Sequence, residues 1–508
     1  MLTFLLGIII LLVGGALYGR FCERVFAPDD RKTPAYTKQD GVDYIPMSKG
    51  KNALINLLNI AGTGPILGPI QGILFGPIAF ITIPIGCIIG GAMHDYFAGM
   101  ISIREGGIQM PELVKKNTGK GVYIVYTLFS CIVLFLIGVV FIYTPGDIAA
   151  TQVFGFSGAA SEPTTWIIYS AIFVYYLIAT VFPIDKIIGK VYPFFGGILL
   201  LSAIGVFIML FVKGYPMINV WDAWTLNGFD FGAYFRDAHF IPTFFVTVAC
   251  GILSGFHSTQ ITLVTRTLQS EREGRFAFYD MMIAEGFIAM VWAAGTMAMI
   301  GVGAENAGIT MQLTDSGWEY FADVSGTLQV VSPTSVVGVV CKNMLGPIGG
   351  IIAIIGVILL PVTSGDTALR SLRLILADTF NLKQETVVKR ILFALPVFAA
   401  AFAVLIWAKT APNGFDTIWR YFGWANQTLA VFALTAILIY FLKNGRKKFF
   451  WMPLLPLMFY AFITCSYLMS AQIGFRLPLG IAFVIGAVFS ILLAFLAFYY
   501  GGRRQERN

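Results

Sequence analysis

Long apolar stretches alternate with short polar segments along almost the whole chain. A helix needs about 20 mainly apolar residues to cross a bilayer, and thirteen stretches of the sequence meet that requirement. The pattern therefore predicts an all-α polytopic membrane protein with about thirteen transmembrane helices. The predicted spans are 2–20, 52–74, 76–100, 121–144, 164–182, 187–212, 241–265, 277–302, 346–369, 390–408, 419–442, 449–470 and 478–500.

Lysine and arginine are distributed unevenly among the segments that join these spans. With the N-terminus placed outside, 28 of the 34 Lys and Arg residues fall in segments that would be cytoplasmic, as the positive-inside rule requires. The first basic residue, Arg20, follows the first apolar run, so we interpret that run as a retained helix and not as a signal peptide. The sequence predicts a multi-pass plasma (inner) membrane protein with an outside N-terminus and a cytoplasmic C-terminus.

Two predicted spans contain residues that interrupt a helix. The span 52–74 includes Gly62–Pro69 (GTGPILGP), which is too rich in Gly and Pro for an unbroken helix. The span 241–265 includes Gly251–Thr259 (GILSGFHST), which combines glycines with polar side chains at mid-membrane. The two spans lie five helices apart, so the halves that they begin have opposite orientations. Matched interruptions in inverted halves are typical of a transporter binding site, whereas a single interruption would indicate a packing kink.

The breaks divide the chain into four predicted parts. Residues 1–51 form an N-terminal transmembrane helix and a cytoplasmic loop. Two five-helix repeats follow, at 52–212 and 241–442, and the segment 443–508 adds two peripheral helices and a cytoplasmic tail.

The composition supports membrane insertion and indicates which class of partner the chain binds. The chain is 57% hydrophobic and 12% charged, against roughly 45–50% and 25% in soluble domains. Its net charge of +7 follows from the loop bias, so lipid is the expected partner and nucleic acid is not. The six cysteines are scattered through apolar stretches without metal-site spacing, and we interpret them as packing residues. No ATPase or hydrolase motif occurs, so the sequence predicts neither an enzyme nor a cofactor beyond a coupling Na⁺ or H⁺.

His257 is the histidine nearest the middle of any predicted span. Ionisable groups at that depth are costly and usually mark a pathway or a proton relay, although a structural histidine bonded to a neighbouring helix is the alternative. The predicted substrate-binding residues are Gly62, Thr63, Gly64, Ser254, Gly255, His257, Ser258, Asn426 and Gln427.

Candidate ligands for a coupling ion or proton lie in the later spans. The adjacent hydroxyls of Thr363 and Ser364 offer the oxygen atoms that a hard cation such as Na⁺ requires. Asp366 belongs to the same group, with an ion pair to Arg370 at the helix end as the alternative. Glu285, an acid inside a span, is predicted either to relay protons or to bond across helices.

Three further polar residues were given structural interpretations. The pair His94 and Asp95 is expected near a cytoplasmic helix end, as a cap or gate and not a metal site. Asp147 is expected to be a solvated loop acid at an outer helix end.

Several blocks resemble the CstA carbon-starvation family. The segment 59–69 is similar to its IAGxGPxxGP signature, and 249–257 to its ACGxxSGFH segment. The remaining similarities are 91–95, 101–107, the TxxDxxxR pattern of Thr363, Asp366 and Arg370, and FGWANQ at 422–427. Departures occur at 258–266, at His94 where glutamine is expected, and in a shorter C-terminal end, and they affect substrate choice more than fold.

The resemblance implies a LeuT/APC-like fold with a five-plus-five inverted repeat and ion-coupled uptake of pyruvate or short peptides during carbon starvation. A Na⁺-coupled amino-acid symporter on the same fold is the alternative. A membrane-embedded enzyme lacks a visible nucleophile or metal cluster, and a channel would need a continuous polar pore.

Overall fold

A computed structural model describes most of the chain. The described residues are 1–41, 43–181, 184–222, 240–300, 309–314, 317–324, 327–380, 382, 386–411 and 413–502. They are mostly helical. Among these residues, nine helices are long and apolar enough to cross a membrane, and one bent helix pair adds a tenth candidate span. The count of thirteen spans stays a prediction.

In the first half of the chain, the described residues form a short helix at Pro34–Thr37 and eight helices of nine residues or more, of which α2 and α3 form the bent pair. Their bounds are α1 Leu2–Phe26, α2 Lys49–Ile60, α3 Gly64–Phe75, α4 Ala79–Arg104, α5 Met110–Thr118, α6 Lys120–Val153, α7 Pro163–Val181 and α8 Ile184–Val212.

In the second half, the short helical pieces Phe240–Phe244, Phe245–Thr247 and Ala249–Ile252 precede the first regular helix. The later helices are α9 Gly255–Val264, α10 Glu271–Ile300, α11 Pro333–Thr379, α12 Val387–Thr410, α13 Gly414–Lys443, α14 Trp451–Ser470 and α15 Leu479–Gly502.

Both spans that were predicted to be interrupted are discontinuous. The axes of α2 and α3 meet at 49°, across three residues that are not helical. Before α9, Leu253 and Ser254 adopt extended backbone angles. Gly and Pro leave amide groups unbonded at these positions, so the backbone there must bond to neighbouring protein or to water.

The region between α10 and α11 departs from the all-α prediction. Three antiparallel strands in the order β1-β2-β3 occupy Ile309–Thr314, Gly317–Val324 and Thr327–Val330. The buried Tyr320 of β2 donates a hydrogen bond to the Ile70 carbonyl, which seats the sheet on α3. Helix α11 then begins before the predicted 346, and its kink lies at Gly346, where φ is +71°.

The helices differ in how much of their surface the protein covers. In its most apolar window α13 is 89% buried, whereas α15 is 28% buried. Helix α13 therefore belongs to the packed interior, and most of α15 is left for lipid, because no water-soluble protein leaves such a large apolar surface uncovered.

A polar strap closes the end of the bundle where α1 ends. The strap comprises residues 27–41 and 43–48, and it lies against residues 265–275, which are the turn after α9 together with the first residues of α10. Thr33 Oγ1 donates to the Leu268 carbonyl at 2.6 Å, and the Met47 amide donates to the Thr267 carbonyl at 2.9 Å. These bonds hold the segment before α2 against the segment after α9.

The carboxylate of Glu271 is fully buried beneath the strap. Arg104, at the end of α4, donates to both of its oxygens at 3.1 Å, and the amide of Asp29 donates to Oε2 at 3.1 Å. Arg31 lies 3.5 Å from Oε1. The strap, α4 and residues 265–275 therefore share one buried negative charge.

Candidate functional site

The two helix breaks lie against each other in the middle of the bundle. A Cβ atom on Gly64 would lie 2.0 Å from the Cβ atom of Cys250, so only glycine permits this approach. A Cβ atom on Gly68 would lie 3.1 Å from the Thr247 carbonyl oxygen. The structure therefore brings the predicted residues near 62–64 together with the segment that leads into α9.

His257 lies in the first turn of α9 and joins a buried chain of titratable side chains. Its Nδ1 is 2.9 Å from Asp95 Oδ2, and its Nε2 is 3.5 Å from Glu285 Oε2. The other Asp95 oxygen is 2.8 Å from His94 Nδ1. We call these four residues the acid–histidine chain. It connects α4, α9 and α10, and none of its side chains is exposed.

The expectation that His94 and Asp95 lie near a helix end is wrong. Helix α4 continues for nine residues after Asp95, to Arg104, and both side chains are fully buried. A π-helical turn, Cys87–Ala92, immediately precedes them, and such turns are frequent at functional sites. The signal was present in the sequence, because Asp95 falls inside the predicted span 76–100.

The acid–histidine chain has no cationic partner of its own. Among the described residues, no lysine or arginine nitrogen lies within 4 Å of either carboxylate in the chain. Neither oxygen of Glu285 has a hydrogen-bond partner within the described part of the protein. Burying two carboxylates without a lysine or arginine beside them is very costly, so the chain must carry at least one proton or bind a cation.

Polar residues of α13 stabilise the second break. The side-chain oxygen of Asn426 accepts from the Phe256 amide at 2.8 Å and from Ser254 Oγ at 3.1 Å. Gln427 donates to the Phe245 carbonyl. Ser258 donates to the Gly255 carbonyl at 2.7 Å. Asn426 and Ser254 thus bond each other and the backbone at the N-terminus of α9.

Beside the predicted residue Thr63, the first break has a buried polar side chain, Asn59, that the sequence interpretation did not single out. Both amide atoms of Asn59 and the hydroxyl of Thr63 are buried without a hydrogen-bond partner among the described residues. The ring of Phe141 fills the space beside Gly62, where a Cβ atom would lie 2.2 Å from it. Asn59 belongs to the CstA-like segment 59–69, so its position beside the glycine run was the available signal.

The predicted ion ligands of α11 lie on another side of α2. Ser364 Oγ donates to the Leu58 carbonyl at 2.7 Å, and Thr363 Oγ1 donates to the Leu360 carbonyl at 2.7 Å. Asp366 accepts from Tyr175 at 2.8 Å. The structure therefore brings Ser364 to the last turn of α2 but does not bring Asp366 to Glu285.

Asp147 is not a solvated loop acid, contrary to expectation. It lies inside α6, its side chain is 15% exposed, and its Oδ1 is 2.8 Å from Lys409 Nζ. Thr334 donates to its other oxygen at 3.0 Å. The residue therefore links α6, α11 and α12.

Comparison with known proteins agrees with this architecture. The family model described as "Carbon starvation protein CstA" matches residues 1–158, 142–317 and 325–467. The chain belongs to the CstA family. It is 42% identical to a Haemophilus influenzae protein described as an uncharacterized membrane protein, over 58% of this chain and 89% of that one.

Other CstA relatives carry a functional name. The Mycobacterium tuberculosis peptide transporter CstA is 25% identical and aligns with 90% of this chain and 73% of its own. The Escherichia coli peptide transporter CstA is 24% identical, with 88% and 77% covered. This CstA-family chain is thus a multi-pass membrane protein of a family whose named members are transporters.

The fold is similar to that of a solved membrane transporter. The Eremococcus coleocola manganese transporter, in complex with a bis-isothiourea compound, aligns with a TM-score of 0.58 at 10% identity, over 91% of this chain and 98% of that one. At that identity the likeness concerns the fold alone.

Proposed function

We propose that this CstA-family chain is a secondary active transporter, an ion-coupled symporter that takes up short peptides or pyruvate during carbon starvation. The observation that carries the proposal is the contact between the two helix breaks, with His257 in the first turn of α9. The name of the curated relatives, peptide transporter, supports a peptide substrate. The likeness to a solved transporter supports a transporter fold, and the APC-type five-plus-five inverted repeat is part of the proposal.

The N-terminus of α9 provides the electrostatics for a carboxylate. Backbone N–H groups at a helix N-terminus and the helix dipole both favour a negative charge. Pyruvate and peptides both carry a carboxylate, so either substrate would place that group at Gly255, beside Ser254. The unpartnered polar atoms of Asn59 and Thr63 lie at the facing break, where they would bond the remaining polar groups of the substrate.

The coupling ion of the proposed symporter is a proton carried by His257. The imidazole changes charge in the physiological range, and it stands between two acids. Sodium is the second candidate. Ser364 Oγ donates to the Leu58 carbonyl of α2 at 2.7 Å, and a Na⁺ ion between these two oxygens would replace that hydrogen bond. A Na⁺-coupled amino-acid symporter would use that arrangement.

Transport assays separate these mechanisms from the other classes. In proteoliposomes, a carrier shows saturable counterflow of labelled substrate, whereas a channel does not. A membrane-embedded enzyme would convert its substrate and would not exchange it. We expect counterflow of alanyl-alanine or pyruvate, and its absence for a panel of dipeptides, tripeptides and pyruvate would refute the proposal.

The first prediction concerns His257. A hydrogen bond to a charged partner contributes about 1.5–3 kcal/mol, so His257→Ala should weaken the apparent affinity roughly 10- to 150-fold. Uptake by cells or proteoliposomes measures the change, normalised to the amount of protein in the membrane. Thr435→Ala is the control, because that buried hydroxyl bonds only its own helix, at the Val431 carbonyl. Wild-type affinity and pH profile in His257→Ala would make the residue merely structural.

A further inference from the structure

In the acid–histidine chain, the His257 ring faces one carboxylate at each of its two nitrogens. A neutral imidazole has one N–H group and one acceptor nitrogen, whereas an imidazolium has two N–H groups. Asp95 faces Nδ1 and Glu285 faces Nε2, so a neutral ring can donate to only one ionised carboxylate at a time. The number of helices that the ring binds therefore depends on its protonation.

The two distances from His257 are unequal in the way that a single N–H group requires. The contact with Asp95, at 2.9 Å, is a normal hydrogen bond, and the 3.5 Å separation from Glu285 is longer than N–H···O bonds usually are. Nε2 has no hydrogen-bond partner among the described residues. The geometry matches a ring that donates through Nδ1 and holds an unshared electron pair towards Glu285.

We propose that His257 is a proton-operated clasp between helices. With one N–H group it binds α4 alone, through Asp95. With two, it also donates to Glu285 and binds α4 and α10 together at the start of α9. This inference rests on the proposed function, because it names the group that receives the coupling proton and the contacts that the proton changes.

The surroundings of the clasp leave the proton few other positions. Asp95 of α4 contacts the His257 ring, and the second oxygen of Asp95 contacts His94. Cys87 lies one π-helical turn earlier in α4, near the two acids. Glu285 faces the ring from α10. The remaining neighbours are the Cys250 thiol, which precedes α9, and the Ile60 carbonyl at the end of α2. Among the described residues, no lysine or arginine nitrogen lies within 4 Å of the Asp95 or Glu285 carboxylate, so no fixed cation competes with the proton for these acids.

The clasp acts where a small change affects both breaks. His257 follows the extended residues Leu253 and Ser254 by only three positions. The neighbouring residue of Glu285, Gly286, packs so closely that a Cβ atom would lie 2.7 Å from the sulfur of Cys87 in α4. Forming or breaking the hydrogen bond from His257 Nε2 to Glu285 therefore changes the contact between α9 and α10, close to the break between α2 and α3.

Nitrogen NMR tests the protonation directly, because the chain has only three histidines. The full-length protein, labelled with ¹⁵N only in histidine, is reconstituted in nanodiscs and titrated without substrate. The His257 signals are identified by their loss in His257→Gln or, if His257→Gln does not fold, by elimination with His94→Gln and His239→Gln. We expect two unlike nitrogens at high pH and two N–H nitrogens at low pH, within about pH 5–9. A ring that keeps one form throughout overturns the proposal.

Substitution of the acids separates the clasp from simple burial. In Glu285→Gln a neighbouring negative charge is lost. The pH at which the His257 imidazolium becomes a neutral ring should therefore fall by about one unit or more. The glutamine amide can donate to Nε2 or accept from it, so the variant should fold but lose the pH dependence of its thermal midpoint. Asp147→Asn is the matched control, since that acid is paired with Lys409 in another part of the bundle, and it should leave both quantities unchanged.

The outcomes distinguish this inference from the proposed function. If His257 titrates as described and no substrate is transported with protons, the clasp stands and the proposed symport fails. If proton-driven uptake is observed while His257 keeps one protonation form, or while Glu285→Gln and Asp147→Asn behave alike, the clasp is refuted.

Discussion

Gly255→Ala should be one of the most damaging single-methyl additions that the chain can receive. The new Cβ atom would lie 2.3 Å from the Ala430 nitrogen and 2.4 Å from the Asn426 carbonyl oxygen. Both are backbone atoms of α13, so no side chain can rotate away to make room. Separating them to an ordinary contact distance requires α9 and α13 to move apart by about 1 Å, which a close-packed interior resists.

The cost of this movement can be worked out from the contacts. Overpacking of this kind costs about 1–3 kcal/mol or more. The movement also stretches the bonds from Asn426 to the Phe256 amide and to Ser254, which contribute about 1 kcal/mol each. The total is about 3–5 kcal/mol, a large part of the about 5–15 kcal/mol by which proteins are usually stable.

Two other glycines provide a graded control for Gly255→Ala. At Gly90, in the π-helical turn of α4, a Cβ atom would make an ordinary contact of 3.6 Å with Tyr460, so Gly90→Ala should be neutral or slightly stabilising. At Gly251 it would meet the Ala289 side chain at 2.9 Å, an intermediate case. Thermal unfolding of the purified proteins measures the series. If Gly255→Ala unfolds at the wild-type temperature, the close approach of the two helices is wrong.

Two more substitutions test regions away from the acid–histidine chain. Ser364→Ala leaves the buried Leu58 carbonyl without its hydrogen-bond donor, which should cost about 1–3 kcal/mol of stability. If Na⁺ binds at Ser364, the substitution also abolishes the Na⁺ dependence of uptake. Unchanged stability would contradict the first expectation, and unchanged Na⁺ dependence would contradict the second. Glu271→Gln removes the charge that Arg104 binds twice, at a cost of about 1.5–3 kcal/mol, and should speed proteolysis of the strap. Glu112→Gln, in an exposed ion pair, should change little, and equal proteolysis of the two variants would refute the buried role of Glu271.

The sequence alone predicted much of the fold because membrane insertion is a strong constraint. Twenty-residue apolar windows recovered α4, α10 and most later helices to within a few residues, and Gly and Pro located both breaks. The windows could not find the strands between α10 and α11, because short strands outside the apolar stretches have no such signature. They also began α11 at 346, the position of its kink, since the polar Lys342 and Asn343 lower the hydropathy of the preceding turns.

Individual residues of the candidate site could be predicted from the sequence, but the contacts between them could not. The cost of burying an ionisable group singled out His257 and Glu285, and both side chains are buried; their depth in the membrane stays a prediction. The sequence places Asp95 at a helix end because it lies near the C-terminal limit of its apolar stretch, and distance along the chain does not measure burial. The contact of Asp95 with His257 joins residues 162 positions apart, and no local pattern specifies such a pair. Asn426 caps α9, because a break leaves amides that need a nearby acceptor, and its contact with substrate stays a prediction.

The strap has a consequence for the order in which the protein is made. Asn52, at the start of α2, bonds the Thr267 carbonyl and hydroxyl across 215 residues, and Asp29 bonds Glu271 across 242 residues. At about 5–20 residues per second, translation needs about 10–40 s to produce these partners. During that interval the buried amide of Asn52 has only the nearby Met47 carbonyl. The end of the bundle where α1 ends must therefore stay open until most of the first ten helices have been inserted, and its closure is a late step of biogenesis.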